Sequence, residues 1–167
     1  MSDTLKMTVP TPTRWTLDVA AVLRLNGSEE VATSPLDGEA LEALLVEAFH
    51  VGQIGGGADA FLIAFDETAA YTGFNYRWFC ERMERFVYID RVVVSAACRG
   101  QGLARRLYKE LTAQARDAGH VALVCEVNLD PPNPVSDAFH AALGFYEVGR
   151  ASPVPGKFVR YLRWDLA

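Results

Sequence analysis

The sequence predicts an α/β (α+β) fold, a mixed sheet with helices packed on it, in one domain over residues 14–167. Three observations carry this. Strand-like and helix-like segments alternate through the middle of the chain, and two strands in succession close it. A chain of 167 residues is the size of one domain, and at that size folding buries about 70% of the surface the unfolded chain exposes. Half the residues are apolar and 22% are charged, which excludes a largely disordered or fibrous protein.

The elements follow in order. Residues 1–13, polar and carrying Pro10 and Pro12, read as a loose tail. Residues 15–25 are apolar, end at Asn26-Gly27 and read as a strand. Residues 36–50 read as a helix, because Leu41, Leu44, Leu45, Ala48 and Phe49 recur at three and four residues; Gly52 and Gly55-Gly56-Gly57 stop it. Residues 60–65 form a short apolar strand. Residues 66–85 mix Tyr71, Phe74, Asn75, Tyr76, Trp78 and Phe79 with Glu81, Arg82 and Glu84, have no clean period, and read as a functional loop with one helical turn. Residues 86–94 are the strongest strand, apolar on both sides and so buried on both faces, with Asp90-Arg91 out of place in it. A loop at 95–99 leads to a helix over 102–118, striped by Leu103, Leu107 and Leu111 and ended by Gly119. A second central strand spans 121–127. Three prolines break the chain at 128–134. A short helix over 135–143 closes at Gly144, and strands at 145–149 and 158–164 end the fold.

Composition limits the partners. Sixteen basic against 21 acidic residues give a net charge of −5. That is the wrong sign for a chain that grips nucleic acid through phosphates, so no nucleic acid is expected. No apolar run approaches the ~20 residues of a membrane span, so no membrane is expected either. The first residues lack the apolar core of an export signal, which makes the cytoplasm the expected location. Cys80, Cys98 and Cys125 are odd in number and none pair as CxxC. Free thiols are expected, with no disulfide and no metal. Cys98 adjoins the feature described next.

The sharpest local pattern is Arg99-Gly100-Gln101-Gly102-Leu103-Ala104-Arg105, which follows a strand and opens a helix. A helix start leaves unpaired N–H groups at the positive end of its dipole. Glycines let a ligand approach the backbone, and Arg99 and Arg105 add charge. Together they suit a pyrophosphate. Neither GxGxxG nor GxxxxGK[ST] is present, which excludes the Rossmann and Walker fingerprints; a plain turn into the helix remains open.

Arg99-x-x-Gly102-x-Ala104 resembles the [Q/R]xxGx[G/A] signature of the GNAT superfamily of N-acetyltransferases. Asn133, Phe139-His140 and Gly144-Phe145 resemble that family's second, downstream pattern. The resemblance is good over residues 86–150. It implies a mostly antiparallel central sheet with one splayed parallel strand pair, and acetyl-CoA as co-substrate. It places the pantetheine arm along Val92 and Val94 and the pyrophosphate on the amides of Gly100, Gln101, Gly102, Leu103 and Ala104. Asn133 would sit at the far end of the arm.

Acetyl transfer to an amine needs a base, close approach, an oxyanion donor and a proton for the thiolate. His140 stands where the family usually has Tyr. It is the candidate acid, with Tyr146 as a second choice and a purely structural histidine as the alternative. Asp90 is the candidate base, because strand parity puts it on the side of Val92 and Val94; a buried ion pair with Arg91 is the alternative. Glu84 and Glu81 follow as bases, with solvated loop charges as their bland reading. The backbone N–H of Val94 is the candidate oxyanion donor. Tyr71, Phe74, Tyr76 and Trp78 are the candidate acceptor pocket for a small amine with an apolar part, or else a satellite core. The expected function is acetylation of a primary amine, most simply that of a small molecule. A protein or peptide acceptor, a CoA-binding module without turnover and a nucleotide-phosphate binder are the alternatives. A homodimer is expected from the resemblance alone.

Overall fold

The computed structural model describes residues 14–29, 33–56 and 58–166; the tail expected at 1–13 lies outside them. Six strands, β1 (His50–Ile54), β2 (Ala60–Asp66), β3 (Val87–Val94), β4 (Ala122–Asp130), β5 (Tyr146–Val154) and β6 (Lys157–Asp165), form one sheet in the order β1-β2-β3-β4-β6-β5. Every neighbouring pair is antiparallel except β3 and β4, which are parallel. Helices α1 (Val19–Ser28), α2 (Gly38–Glu47) and α3 (Phe74–Cys80) pack on one face, α4 (Leu103–Asp117) and α5 (Pro134–Leu143) on the other. The mixed single-domain architecture is the one expected.

Alternation along β2 builds both cores. Phe61, Ile63 and Phe65 face α1–α3, while Ala60, Leu62 and Ala64 face α4. The small residues on the second side let α4 come close. Its stripe of Leu103, Leu107, Leu111 and Ala115 is buried there, as the four-residue spacing predicts. Gly52 serves the same contact, because a Cβ there would stand 2.8 Å from Leu107 Cδ2.

Two features of β3 position the site. First, α4 is the crossover that a parallel pair requires, but the β3–β4 ladder holds only at Val87↔Leu123 and Tyr88↔Val124. Beyond these the strands diverge. β3 stays paired to β2 and β4 to β6, so a cleft with unpaired strand edges opens toward the C-terminal ends of both. Second, β3 carries a bulge. Ile63 opposes Arg91 and Ala64 opposes Ile89, which leaves Asp90 as the extra residue. The bulge reverses side-chain parity: Val87, Ile89, Val92 and Val94 all pack with the α4 core.

Several elements differ from expectation. Residues 15–25 are not a strand. Asp18 caps α1 by accepting from the Ala21 amide at 3.0 Å, and Ala21, Val22, Leu25 and Asn26 are buried at helical spacing. The second helix ends at Glu47, and His50–Ile54 is an edge strand; Gly52 is a packing residue in it rather than a helix stop. The aromatic segment holds a two-turn helix, α3, and not a single turn. β4 runs to Asp130, past the expected break, and β5 extends to Val154, where a turn at Gly156 (φ +81°) leads into β6.

The β5–β6 hairpin is clamped to α3 by Trp78, which stacks on Tyr161 with ring centroids 4.2 Å apart. A Cβ on Gly149 would lie 2.5 Å from Trp78 Cζ2. Gly149→Ala is therefore expected to push the indole off Tyr161 and destabilise the chain by about 1–3 kcal/mol in urea unfolding.

Candidate active site

The glycine turn stands at the open end of the cleft. After β3 comes a 3₁₀ turn at Ala96–Cys98, then Gly100 and Gly102 with φ of +77° and +75°, in the left-handed region that favours glycine. No side chain caps α4 at Gly102, so its first amides point outward unpaired. A Cβ at either glycine would meet no atom within 4 Å. Space is therefore open in front of those amides, and the turn fits a pyrophosphate. Leu103 is buried and offers only its amide. Arg105 is exposed with no ion pair among the described residues. Arg99 differs from expectation, since its guanidinium is engaged by Glu29 at 2.5 Å. Val92 and Val94 are half-buried on the α4 side of β3, and Val92 borders the smaller of the two cavities in the cleft.

Asp90 is not on the side of Val92 and Val94. The bulge turns it to the opposite face, where its carboxylate accepts from the Tyr71 hydroxyl at 2.8 Å and from Arg91 Nε at 2.9 Å. Arg91 in turn donates to Asn26 Oδ1 and the Ser34 carbonyl. Only 5% of the Asp90 side chain is exposed. This is a satisfied buried ion pair and not a free base. Glu84 and Glu81 are exposed and precede β3 at its paired end, the wrong end of the cleft; Glu81 pairs with Arg82. Tyr146 lies exposed on an edge strand and donates to Asp165.

A second carboxylate at the cleft is Glu126 on β4. It lines both a cavity of 320 Å³ and a neighbouring one of 110 Å³, and Asp90 lines the same two cavities. Tyr88 donates to it at 2.8 Å and Asn75 Nδ2 at 3.1 Å. Asn75 is oriented by the Tyr161 hydroxyl, which donates to its Oδ1 at 2.7 Å. Burial, with the Asp90 charge adding to it, pushes the Glu126 carboxyl up to about 7, against the pull of the two donors. A carboxyl poised there takes a proton at neutral pH and gives it up again.

The smaller cavity is lined by Tyr108, Cys125, Asn133, Ser136 and His140, among others. His140 is 3% exposed. Its Nδ1 lies 2.7 Å from the Ser136 carbonyl, which accepts only, so Nδ1 carries the ring proton. Nε2 then accepts from the Tyr108 hydroxyl at 2.7 Å. Burial also pulls the imidazole below its ordinary 6.5. His140 is thus a neutral hydrogen-bond acceptor, and the group that carries a proton beside the cavity is Tyr108. Asn133 caps α5 through its Oδ1 to the Ser136 amide and borders the same cavity.

Of the four aromatic candidates, Tyr71 and Phe74 line the larger cavity. Tyr76 is 2% exposed and bonds to the Asp66 carbonyl, and Trp78 is the clamp on Tyr161; both are core residues. The far wall is the β5–β6 hairpin, through Pro153, Val154 and Lys157. The polar site residues Glu126, Tyr108, Tyr88 and Asn75 lie outside the sequence-based candidates. Glu126 carries the same signal as Asp90, a lone charge in an apolar strand. Cys80 is exposed, Cys98 half-buried and Cys125 buried, and all three are free thiols.

A sheet that splits between two parallel strands, with a bare helix start at the mouth of the split, defines the acetyltransferase class of fold. The chain belongs to the acetyltransferase (GNAT) family, whose sequence model matches residues 30–145. It is similar in structure to the ribosomal-protein-S18-alanine N-acetyltransferase of Escherichia coli (18% identity, 93% of this chain and 92% of that one, TM-score 0.66). It is also similar to yncA of Salmonella typhimurium, solved with its cofactor acetyl-CoA (18%, 92% and 92%, 0.64). Nourseothricin acetyltransferase is a further likeness (21%, 70% and 64%, 0.53). No curated protein matches the chain by sequence. Among the described residues no helix is long and apolar enough to cross a membrane.

Proposed function

We propose that the protein moves the acetyl group of acetyl-CoA to the primary amine of a small molecule by direct attack, with both substrates bound together. The observation that carries this is Glu126, a carboxyl held near neutrality in the wall shared by two cavities. The larger cavity, 320 Å³, is at the small end of ligand sites, which favours a compact amine over a peptide. An amine bound there would lie between Glu126 and Tyr71, with Phe74 as the apolar rim.

The amides of Gly100 to Ala104 would hold the pyrophosphate, and the unpaired edge of β3 at Val92 and Val94 the pantetheine arm. When bound, acetyl-CoA supplies the acetyl group as an activated thioester. Glu126 removes the ammonium proton, so that the nitrogen lone pair is free to attack. Tyr88 and Asn75 orient that carboxylate. As the C–N bond forms and the C–S bond breaks, the Tyr108 hydroxyl, now donating to His140 Nε2, would instead donate a hydrogen bond to the departing sulfur. The proton lost by the acylated nitrogen would leave on that sulfur as free thiol. Tyr108→Phe removes this donor and is expected to lower kcat about tenfold with little change in KM for acetyl-CoA.

The test is release of free thiol from acetyl-CoA over time, with small amines and peptide N-termini offered side by side. Turnover faster with small amines supports the proposal. Turnover confined to peptides redirects it to a protein acceptor, and binding without thiol release reduces the protein to a CoA-binding module.

A further inference from the structure

A cluster that the reaction does not use lies at the other end of the sheet. We infer that Asp66, Glu67 and His120 form a divalent-cation site where β3 and β4 are still paired, remote from the glycine turn. Asp66 ends β2, opposite Val87, and His120 stands two residues before β4 begins.

His120 is 7% exposed. Its Nδ1 and Glu67 Oε2 are both buried and neither has a hydrogen-bond partner, although they stand 3.2 Å apart. Across the ring, Asp66 Oδ2 lies 3.8 Å from Nε2. A neutral imidazole has one N–H and cannot serve two carboxylates. A cation on one side resolves this.

The spacing suits an ion. Two ligand atoms each bound to a tetrahedral zinc stand about 3.3 Å apart, and Nδ1 and Oε2 are already at 3.2 Å. With the ion between these atoms, Nε2 keeps the ring proton and faces Asp66, the carboxylate–histidine–metal arrangement. Asp66 is held for that role, because its Oδ1 accepts from the Thr68 amide at 2.9 Å and from the Thr68 hydroxyl at 2.6 Å. Phe49 packs edge-on against the imidazole at 5.0 Å between centroids and fixes the ring.

One cation stands close, Arg85, whose Nε is 3.7 Å from the other Glu67 oxygen. Its Nη2 is drawn off to the Ala118 carbonyl, which leaves Oε2 to the ion. One donor atom from each of the three residues lies within 4.8 Å of the others. About a fifth of each acidic side chain is exposed, so an ion can enter and water can complete its shell. Imidazole with carboxylate selects zinc or a similar first-row metal over magnesium or calcium. Such an ion ties the end of β2 to the start of β4 across β3 and holds shut the end of the sheet from which the cleft opens.

The test uses the full chain stripped with EDTA and titrated with ZnCl2, read by calorimetry and by thermal unfolding. One zinc per chain is expected, with Tm raised by roughly 5 °C or more at about 100 times Kd. Both effects are lost in Glu67→Gln and in His120→Gln; if the histidine variant fails to fold, Glu67→Gln decides. An unchanged Tm overturns the assignment. Zinc binding that survives in Glu67→Gln, for instance on the exposed Cys80, overturns it equally.

Discussion

Glu126→Gln is expected to lower kcat by about 10²- to 10³-fold while acetyl-CoA still binds. Gln keeps the size of the side chain and still accepts from Tyr88 and Asn75, but it cannot take the amine's proton. The pH profile is the sharper measure. With a carboxyl that titrates at about 7, kcat rises as pH passes through that value and levels off above it. In the Gln variant that limb disappears. Stability moves the other way. The unfolded carboxyl titrates near 4.5 and the folded one near 7, so between those values the unfolded chain releases its proton first, and stability falls as pH rises. Glu126→Gln removes that fall, and its Tm at pH 8 exceeds that of the parent. A variant with parental kcat would remove Glu126 from the reaction.

CoA and acetyl-CoA are expected to raise the Tm of the parent, NAD is not, and Gly102→Glu is expected to abolish that rise. Three effects act together: a left-handed φ of +75°, a side chain in the open space before the α4 amides, and a negative charge facing the phosphates. Gly102→Ala separates them. It brings the strain of the left-handed backbone, about 1–2 kcal/mol, without the charge. Nothing within 4 Å obstructs its Cβ, so it folds. It is expected to bind CoA about tenfold more weakly, as a methyl group in a close backbone contact does. Equal CoA affinity in parent, Ala and Glu variants would move the pyrophosphate elsewhere.

The glycine turn was legible because it is made of backbone. Gly100 and Gly102 announce a turn, the leucine stripe announces the helix behind it, and amides at a helix start need no particular side chain to aim them. The larger cavity is made of side chains from β3, β4, α3, the loops before α2 and α3, and the β5–β6 hairpin. Asn75 and Glu126 are 51 residues apart and share a hydrogen bond; no local pattern links them. The assignment of Asp90 failed for a specific reason: strand parity was counted through a position where the strand carries one residue too many.

The sequence alone therefore determined the mixed sheet, the leucine face of α4, the glycine turn and the family likeness, because each rests on local periodicity or on a short contiguous motif. The tertiary structure decided how each carboxylate at the cleft is partnered. The bulge at Asp90 and the parting of β3 from β4 are properties of strand pairing. They turn Asp90 into an ion pair with Arg91, while Glu126, which lines the same two cavities, is held by the neutral donors Tyr88 and Asn75. Partners brought together from distant parts of the chain, and not residue type, settle which acid is ion-paired and which is held by neutral donors.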